Sequence, residues 1–501
     1  MERTPLHDLS QDELIGLILR LQKQLADLEK RNAELAARNE ELARRIEELE
    51  KKNPTVRLDE AFSMRAEEQR QAKAANEDKG KRNKQKSKRR GRISTDEKLA
   101  KATLEEDIWP KQFKFAECQW RYSRPVWRII HGQAVLVAYH IYAGPDGTVP
   151  QIPGVPRRCE FGQEICITLA HQHYIIGLPL DKAIAEMEFF WGLKLRKSQA
   201  DAMLNRLARE WLPEFEALCD LLAFSAVVHA DETSWSINSV WAFLSETARI
   251  TLFGCRKDGE TLAALLDKDE FKGVLVSDNA AVYQGFDNSQ KCWAHLLRKA
   301  IRLTLLKPNR PRYRKFLNSL LDIYRRGKKI AADKRLSEAG RRARAAQLHD
   351  AIYDCTANRF CDQSTPADDV EKDFYNLTHE ILRLLREDEL FTYVIHPEVP
   401  GTNNESERSL RGAAQDRRTG RTSKTELGAR RRTIIGSVLD SLRLYLPQPN
   451  LQAVQAEIAR WYDVGVSCFR RMVTSLKIPE RSLPAGVASI LDQLVPLPDT
   501  G

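Results

Sequence analysis

The sequence predicts a multidomain chain, mainly α-helical, built around one α/β core, and three patterns carry that expectation. Leucine recurs at seven-residue spacing near the N-terminus, apolar β-branched runs alternate with a helical segment between residues 223 and 295, and long charged stretches of helical periodicity fill most of the remainder. With 501 residues, 42% of them hydrophobic, the chain can bury cores for about three domains. Its 80 Lys and Arg against 70 Asp and Glu give a formal net charge of +10, which favours a polyanionic partner. No run approaches the ~20 consecutive apolar residues of a membrane span. The first 21 residues interleave charges with leucine and lack the apolar region and cleavage site of a signal peptide. Nine cysteines, an odd number without repeated CxxC spacing, fit reduced thiols. A cytoplasmic protein with no membrane partner is expected.

Residues 9–52 form the first predicted element. Leu14, Leu21, Leu28, Leu35, Leu42 and Leu49 occupy one heptad position and Ile18, Leu25, Asn32, Asn39 and Ile46 the facing one, a register that predicts a coiled coil and a homodimer or higher oligomer. Asn32 and Asn39 would leave amides unsatisfied unless they pair across the seam, a device that selects a parallel dimer. An amphipathic helix packed on its own chain is the alternative, disfavoured by the narrow stripe. A basic linker, 53–109, follows. From Lys79 to Arg92 it reads KGKRNKQKSKRRGR, nine basic residues in fourteen with no acid and no large apolar residue, so it cannot bury a core. Lys81, Arg82, Lys84, Lys86, Lys88, Arg89, Arg90 and Arg92 are candidate contacts to DNA phosphates, with a solvated linker as the bland alternative. This tract carries nine of the ten net charges, leaving the rest of the chain near neutral.

Residues 110–160 read as a small β-rich module, with runs at Val126–Ile130 and Val135–Ala143 before the segment AGPDGTVPQIPGVP. From 161 to 222 the pattern is helical. Leu180, Ala183, Ile184 and Met187 share a face, Trp191-Gly192-Leu193 interrupts it, and a second helix is expected near Ser198 as N-cap. Two short helices about a glycine turn fit a helix-turn-helix with Lys194, Arg196 and Lys197 as DNA contacts, although any helical hairpin reads alike.

Residues 223–295 contain four strand-like runs, FSAVVHAD, SVWAFLSE, ARITLFGC and GVLVSD, with the helix-like GETLAALLDKD between the third and fourth. NAAVYQGF then predicts a short helix and KCWAH a fifth strand. Three strands at hairpin spacing followed by strand-helix-strand alternation give a mixed sheet flanked by helices. Residues 296–395 are helical and highly charged, further helices are expected over 396–475, one of them from Asn403, and 476–501 forms a C-terminal tail.

Asp231 and Asp278 each follow an apolar run directly, and in open α/β sheets the ligand crevice lies at strand ends. Two aspartates there can share a divalent cation, or serve only as turn and capping residues. Glu405 and Glu407, at the start of the helix expected from Asn403, offer a third acid. Such carboxylates suit Mg²⁺, and a pair of ions serves phosphodiester cleavage or strand transfer. No GxSxG, GxxxxGK[ST] or paired CxxC occurs. Cys292 and His295 form a CxxH half-site without a second half, so no structural zinc is expected.

HADETSW at 229–235, GVLVSDNAAVY at 273–283, CWAHLLRK at 292–299 and NNESERSLRG at 403–412 resemble, in order and spacing, the insertion sequence 66 family of DDE transposases. RRTIIGSVLDSLRLY at 431–445, the leucine-rich N-terminal helix and the helix-turn-helix extend the resemblance over most of the chain. It implies a retroviral-integrase-like (RNase H-like) core in two parts, 223–295 and 396–475, divided by a helical insertion at 296–395. It also implies that Asp231, Asp278 and Glu407 are the catalytic acids and ligands of two Mg²⁺ or Mn²⁺ ions, with His295, Arg408 and Arg411 close by. The partners implied are double-stranded DNA at element ends and target, accessory proteins of the same element, and the nucleoid. Three departures stand out. The family commonly has a cysteine-rich zinc-binding segment upstream, where this chain has only Cys118, Cys159 and Cys166 without CxxC spacing, so a metal-free β module is expected. Thr402 stands where the family usually has aspartate, and Asn279 where small or aromatic residues are more usual. An inactive accessory DNA-binding protein and a nuclease on the same fold are the alternative readings; joining of cut strands separates a transposase from both.

Overall fold

The computed structural model describes residues 93–360, 366 and 368–479, with scattered positions between Ile15 and Arg44. The chain divides into two units, Met1–Arg92 and Ile93–Gly501. In the first, the described positions are helical, with Leu25 and Asn32 exposed. Leu14, Leu21, Leu28, Leu35, Asn39, Leu42 and Leu49 lie outside the described residues. So does the whole basic tract from Lys79 to Arg92.

The second unit begins with a short helix, α1 (Thr95–Leu99), and a three-stranded sheet of β1 (Leu104–Ile108), β2 (Gln119–Ile130) and β3 (Gln133–Ala143), in the order β1-β3-β2. β2 and β3 form a hairpin whose two turn residues, His131 and Gly132, both have positive φ (50° and 77°), the backbone a tight two-residue turn needs. β1 lies inside the segment expected to be linker. Its sequence LEEDI is almost wholly exposed at the sheet edge, so it has no apolar alternation to betray it, and its charges guard the edge.

Four helices follow: α2 (Gln163–Ala170), continued by one π turn to Ile175, α3 (Leu180–Trp191), α4 (Lys197–Glu210) and α5 (Leu212–Ala223). α3 ends at Gly192, left-handed at φ 68°, as the glycine turn implies. α4 starts at Lys197, one residue before the expected cap: Arg196 is the N-cap, and the Gln199 side chain accepts from its N–H at 3.0 Å. Lys194, Arg196 and Lys197 are exposed at this turn. The boundary drawn at 222 is not a break in the core, because Leu204, Phe215 and Leu222 share one buried cluster with Val228, Trp241 and Leu275.

The central sheet runs β6-β5-β4-β7-β8. β4 (Val227–Ser234), β5 (Ser239–Leu244) and β6 (Arg249–Cys255) form an antiparallel meander, while β7 (Val274–Ser277) and β8 (Ser289–Lys291) run parallel to β4. Between β6 and β7 lies α6 (Gly259–Ala263), capped by Asp258. Two expectations need correction here. NAAVYQGF gives only a single 3-10 turn, Ala281–Tyr283, and the fifth strand is the polar SQK rather than KCWAH, because Cys292 caps the helix that begins at Trp293.

Helices α7 (Trp293–Leu306), α8 (Pro311–Ala332), α9 (Glu338–Phe360), α10 (Asp369–Arg386) and α11 (Thr392–Ile395) carry a separate buried cluster, including Leu320, Leu348, Ile352 and Leu384. α12 (Asn404–Arg418), α13 (Glu426–Tyr445), α14 (Leu451–Val464) and α15 (Cys468–Ser475) return to the central sheet, where Ile434, Val438 and Phe469 join its core.

α13 also seals the open edge of β6. Thr433, Ser437 and Ser441 recur every four residues, so their hydroxyls form one row on the helix. They accept from the N–H groups of Phe253 (2.9 Å), Thr251 (3.0 Å) and Arg249 (2.9 Å), the donors β6 would otherwise expose. Thr433→Val keeps the volume but leaves the buried Phe253 N–H without an acceptor. We expect it to cost about 1–3 kcal/mol in denaturant unfolding, and an unchanged midpoint would show that the row does not seal the edge.

Candidate active site

The parallel pairing of β4 with β7 ends at His229, whereas its antiparallel pairing with β5 continues to Ser234. Asp231 is therefore inside β4, opposite Ala242, and not beyond the strand end as the apolar run suggests; it is nonetheless past the end of the parallel ladder, where a crevice opens. Asp278 follows β7 immediately, and its carboxylate accepts from the Ala280 N–H at 2.9 Å. Glu407 lies one turn into α12.

Asp231 is electrostatically coupled to both of the other acids. Burial pushes the Asp231 carboxyl up to about 7, and the neighbouring charges of Glu232, Asp278 and Glu407 add to the rise. Glu405, the other acid of α12, turns away to pair with Arg249 at 2.7 Å. Glu407 is half-buried, accepts from Arg298 at 2.6 Å and lies 3.6 Å from His295 Nδ1. Burial, reinforced by Arg298, lowers the His295 pKa, so this imidazole is neutral near pH 7. Arg408 and Arg411 are exposed on α12.

Asn403, the N-cap of α12 and fully buried, fixes this arrangement. Its Nδ2 donates to the Ala230 carbonyl at 2.7 Å, its Oδ1 lies 3.0 Å from His229 Nδ1, and its N–H donates to Cys292 Sγ at 3.1 Å. The amide takes over the Ala230 carbonyl just where β7 stops pairing with β4. Next to it, the Glu232 side chain is buried and accepts from the Tyr283 hydroxyl and the Lys257 ammonium, which ties the loop after Asp278 back to β4. Sequence reasoning passed over Asn403, Glu232, Tyr283 and Arg298. The one available signal was their position inside the four motifs.

A model described as the Transposase IS66 family matches residues 158–431, more than half of the chain and the stretch that holds all three acids. The chain belongs to the IS66 family of transposases. A search of curated proteins gives no match. Membership supports a transposase function in general terms, and with it the use of divalent metal by DDE enzymes. The three-stranded sheet and the whole α13 hydroxyl row lie outside the matched span. Among the described residues no helix is long and apolar enough to cross a membrane.

Two donor sets could receive a cation. Asp231, Asp278 and Glu407 offer hard carboxylate oxygens, and a divalent ion would relieve the repulsion that Asp231 feels from the other two, so their chemistry fits a hard divalent cation. Cys292, His295 and Glu407 bring one ligand atom each within 4.8 Å of one another. The thiol, however, already accepts from Asn403, and burial raises its pKa and keeps it protonated, which argues for an anchoring role.

The Asp231 shift has a definite sign. Its folded pKa is above the unfolded value, so between about pH 4 and 7 the folded state binds the extra proton and metal-free stability falls as pH rises. Asp231→Asn should therefore be more stable than wild type at pH 8 without divalent ions, by on the order of 2 kcal/mol, with the gap closing near pH 4. Thermal melts across this range check it; equal melting at pH 8 would mean that Asp231 carries no such strain.

Proposed function

We propose that the chain is a DDE-type transposase that binds double-stranded DNA at the ends of its element, cleaves a phosphodiester and directs the freed 3′ hydroxyl at target DNA. The observation that supports this best is the electrostatic coupling of Asp231, on a central strand, to Asp278 at a neighbouring strand end and to Glu407 on a helix. An antiparallel meander followed by two parallel strands suits an RNase H-like core, and the separate cluster of Trp293–Ile395 suits a helical insertion within it.

In this reading the three carboxylates hold two Mg²⁺ or Mn²⁺ ions. Such ions, when bound, polarise the scissile phosphodiester and activate the attacking oxygen. The protein's own part is positional. Asp231 must give up its proton, Asp278 keeps one oxygen oriented by the Ala280 N–H, and Arg298 neutralises Glu407 beside the place where DNA phosphates arrive. The exposed Lys194, Arg196 and Lys197, and the tract from Lys79 to Arg92, supply phosphate contacts. Pairing of the N-terminal heptads into a dimer belongs to the same proposal.

Purified protein with its element ends and Mg²⁺ or Mn²⁺ should cut and join strands, whereas Asp231→Asn should bind those ends with unchanged affinity and cut them at least ~1,000-fold more slowly. Normal cleavage by the variant would overturn the assignment. End binding by wild type without cleavage under either ion would favour an accessory protein, and cleavage without joining a nuclease.

A further inference from the structure

The helices between β8 and α12 carry a polar network that reaches Asp278. Asn279, directly after that aspartate, donates from Nδ2 to Glu380 Oε1 at 2.7 Å and accepts at Oδ1 from Arg383. Glu380 and Arg383 lie one turn apart on α10, so a single helix offers an acceptor and a donor to the two ends of one amide. Lys299 of α7 holds Glu380 in place at 2.6 Å. On the other side of Asp278, the buried Lys291 donates to Ser277 Oγ at 3.2 Å and to the Tyr283 carbonyl at 2.9 Å, and pairs at 3.5 Å with Glu389, just past the end of α10. Residues on both flanks of Asp278, 277 and 279, are thus tied to the helical segment.

From this geometry we infer that α10 is a clamp that positions the second carboxylate, with Asn279 as its positioning residue. The inference rests on the transposase reading for what Asp278 does, but the mechanical link stands on these contacts. It also explains why an amide occupies position 279. Alanine would offer neither group, and aspartate would face Glu380 with like charge.

Two measurements on the full-length protein test it: hydrogen exchange of the peptide spanning 278–284 without metal, and the Mn²⁺ concentration giving half-maximal end cleavage. Asn279→Ala and Glu380→Ala should each speed exchange in that peptide and raise the Mn²⁺ requirement about 10-fold with KM for DNA unchanged, and the double variant should add little. Asn279→Asp should be worse than alanine, and Glu380→Gln, which supplies a donor to the new carboxylate, should restore it. Arg342→Ala, at an exposed position of α9 paired with Glu338 of the same helix, should change neither readout. Unaltered exchange in Asn279→Ala would overturn the clamp whatever the activity. Faster exchange with no metal-dependent cleavage by wild type would overturn the transposase reading while leaving the mechanical link standing.

Discussion

The candidate site depends on one buried amide. Asn403 is fully enclosed and spends both ends of its side chain and its backbone N–H on three partners in two elements: the Ala230 carbonyl and His229 of β4, and the sulfur of Cys292 at the start of α7. A backbone bond from Trp293 N–H to the Gly401 carbonyl, 3.0 Å, reinforces the same junction. Since a buried polar group without partners costs about 1–3 kcal/mol, these bonds strongly select one seating of α12 against the sheet. That seating puts Glu407, one turn on, within electrostatic reach of Asp231 in β4. The helix's cap seats the third carboxylate, and the contacts of its Oε1 with Arg298 at 2.6 Å and with His295 at 3.6 Å hold the side chain on that seat.

Around that junction the fold closes its exposed backbone with side chains and loops. The β6 edge is met by the hydroxyl row of α13. The β8 edge is met by the segment after α10, where the Lys291 N–H donates to the Glu389 carbonyl at 2.8 Å and the Thr392 hydroxyl to the Ser289 carbonyl at 2.7 Å. A five-stranded sheet is thus sealed at both ends by polar residues on helical segments, and the strands can stay short. The cluster of acids works in the opposite direction. Asp231 is held in a state that its burial and neighbours disfavour when ionised, a local strain of the sort expected where a cation is to be received.

Much of this was legible from residue patterns. The apolar runs at 227–255 and 274–277 became strands, a helix begins at the asparagine pair that precedes Glu407, and the glycine at 192 ended a helix. What could not be read had a common cause. β1 is charged because it is an exposed edge, and β8 is polar because Lys291 is buried among oxygen acceptors, so neither shows the alternation by which strands are found. Asn403 and Asn279 act through partners more than 100 residues away, at Ala230, Cys292, Glu380 and Arg383, and no local spacing encodes such contacts. The departure at Asn279 was visible as a residue, but its meaning required α10.

The central claim is that the three carboxylates, and not the thiol and imidazole beside them, form the cation site. Anomalous diffraction from crystals equilibrated with Mn²⁺ at pH 8 tests this most directly. The account predicts manganese peaks in contact with the carboxylates of Asp231, Asp278 and Glu407, with Cys292 Sγ still accepting from Asn403. A peak coordinated by Cys292, His295 and Glu407, or no peak at saturating Mn²⁺, would contradict it.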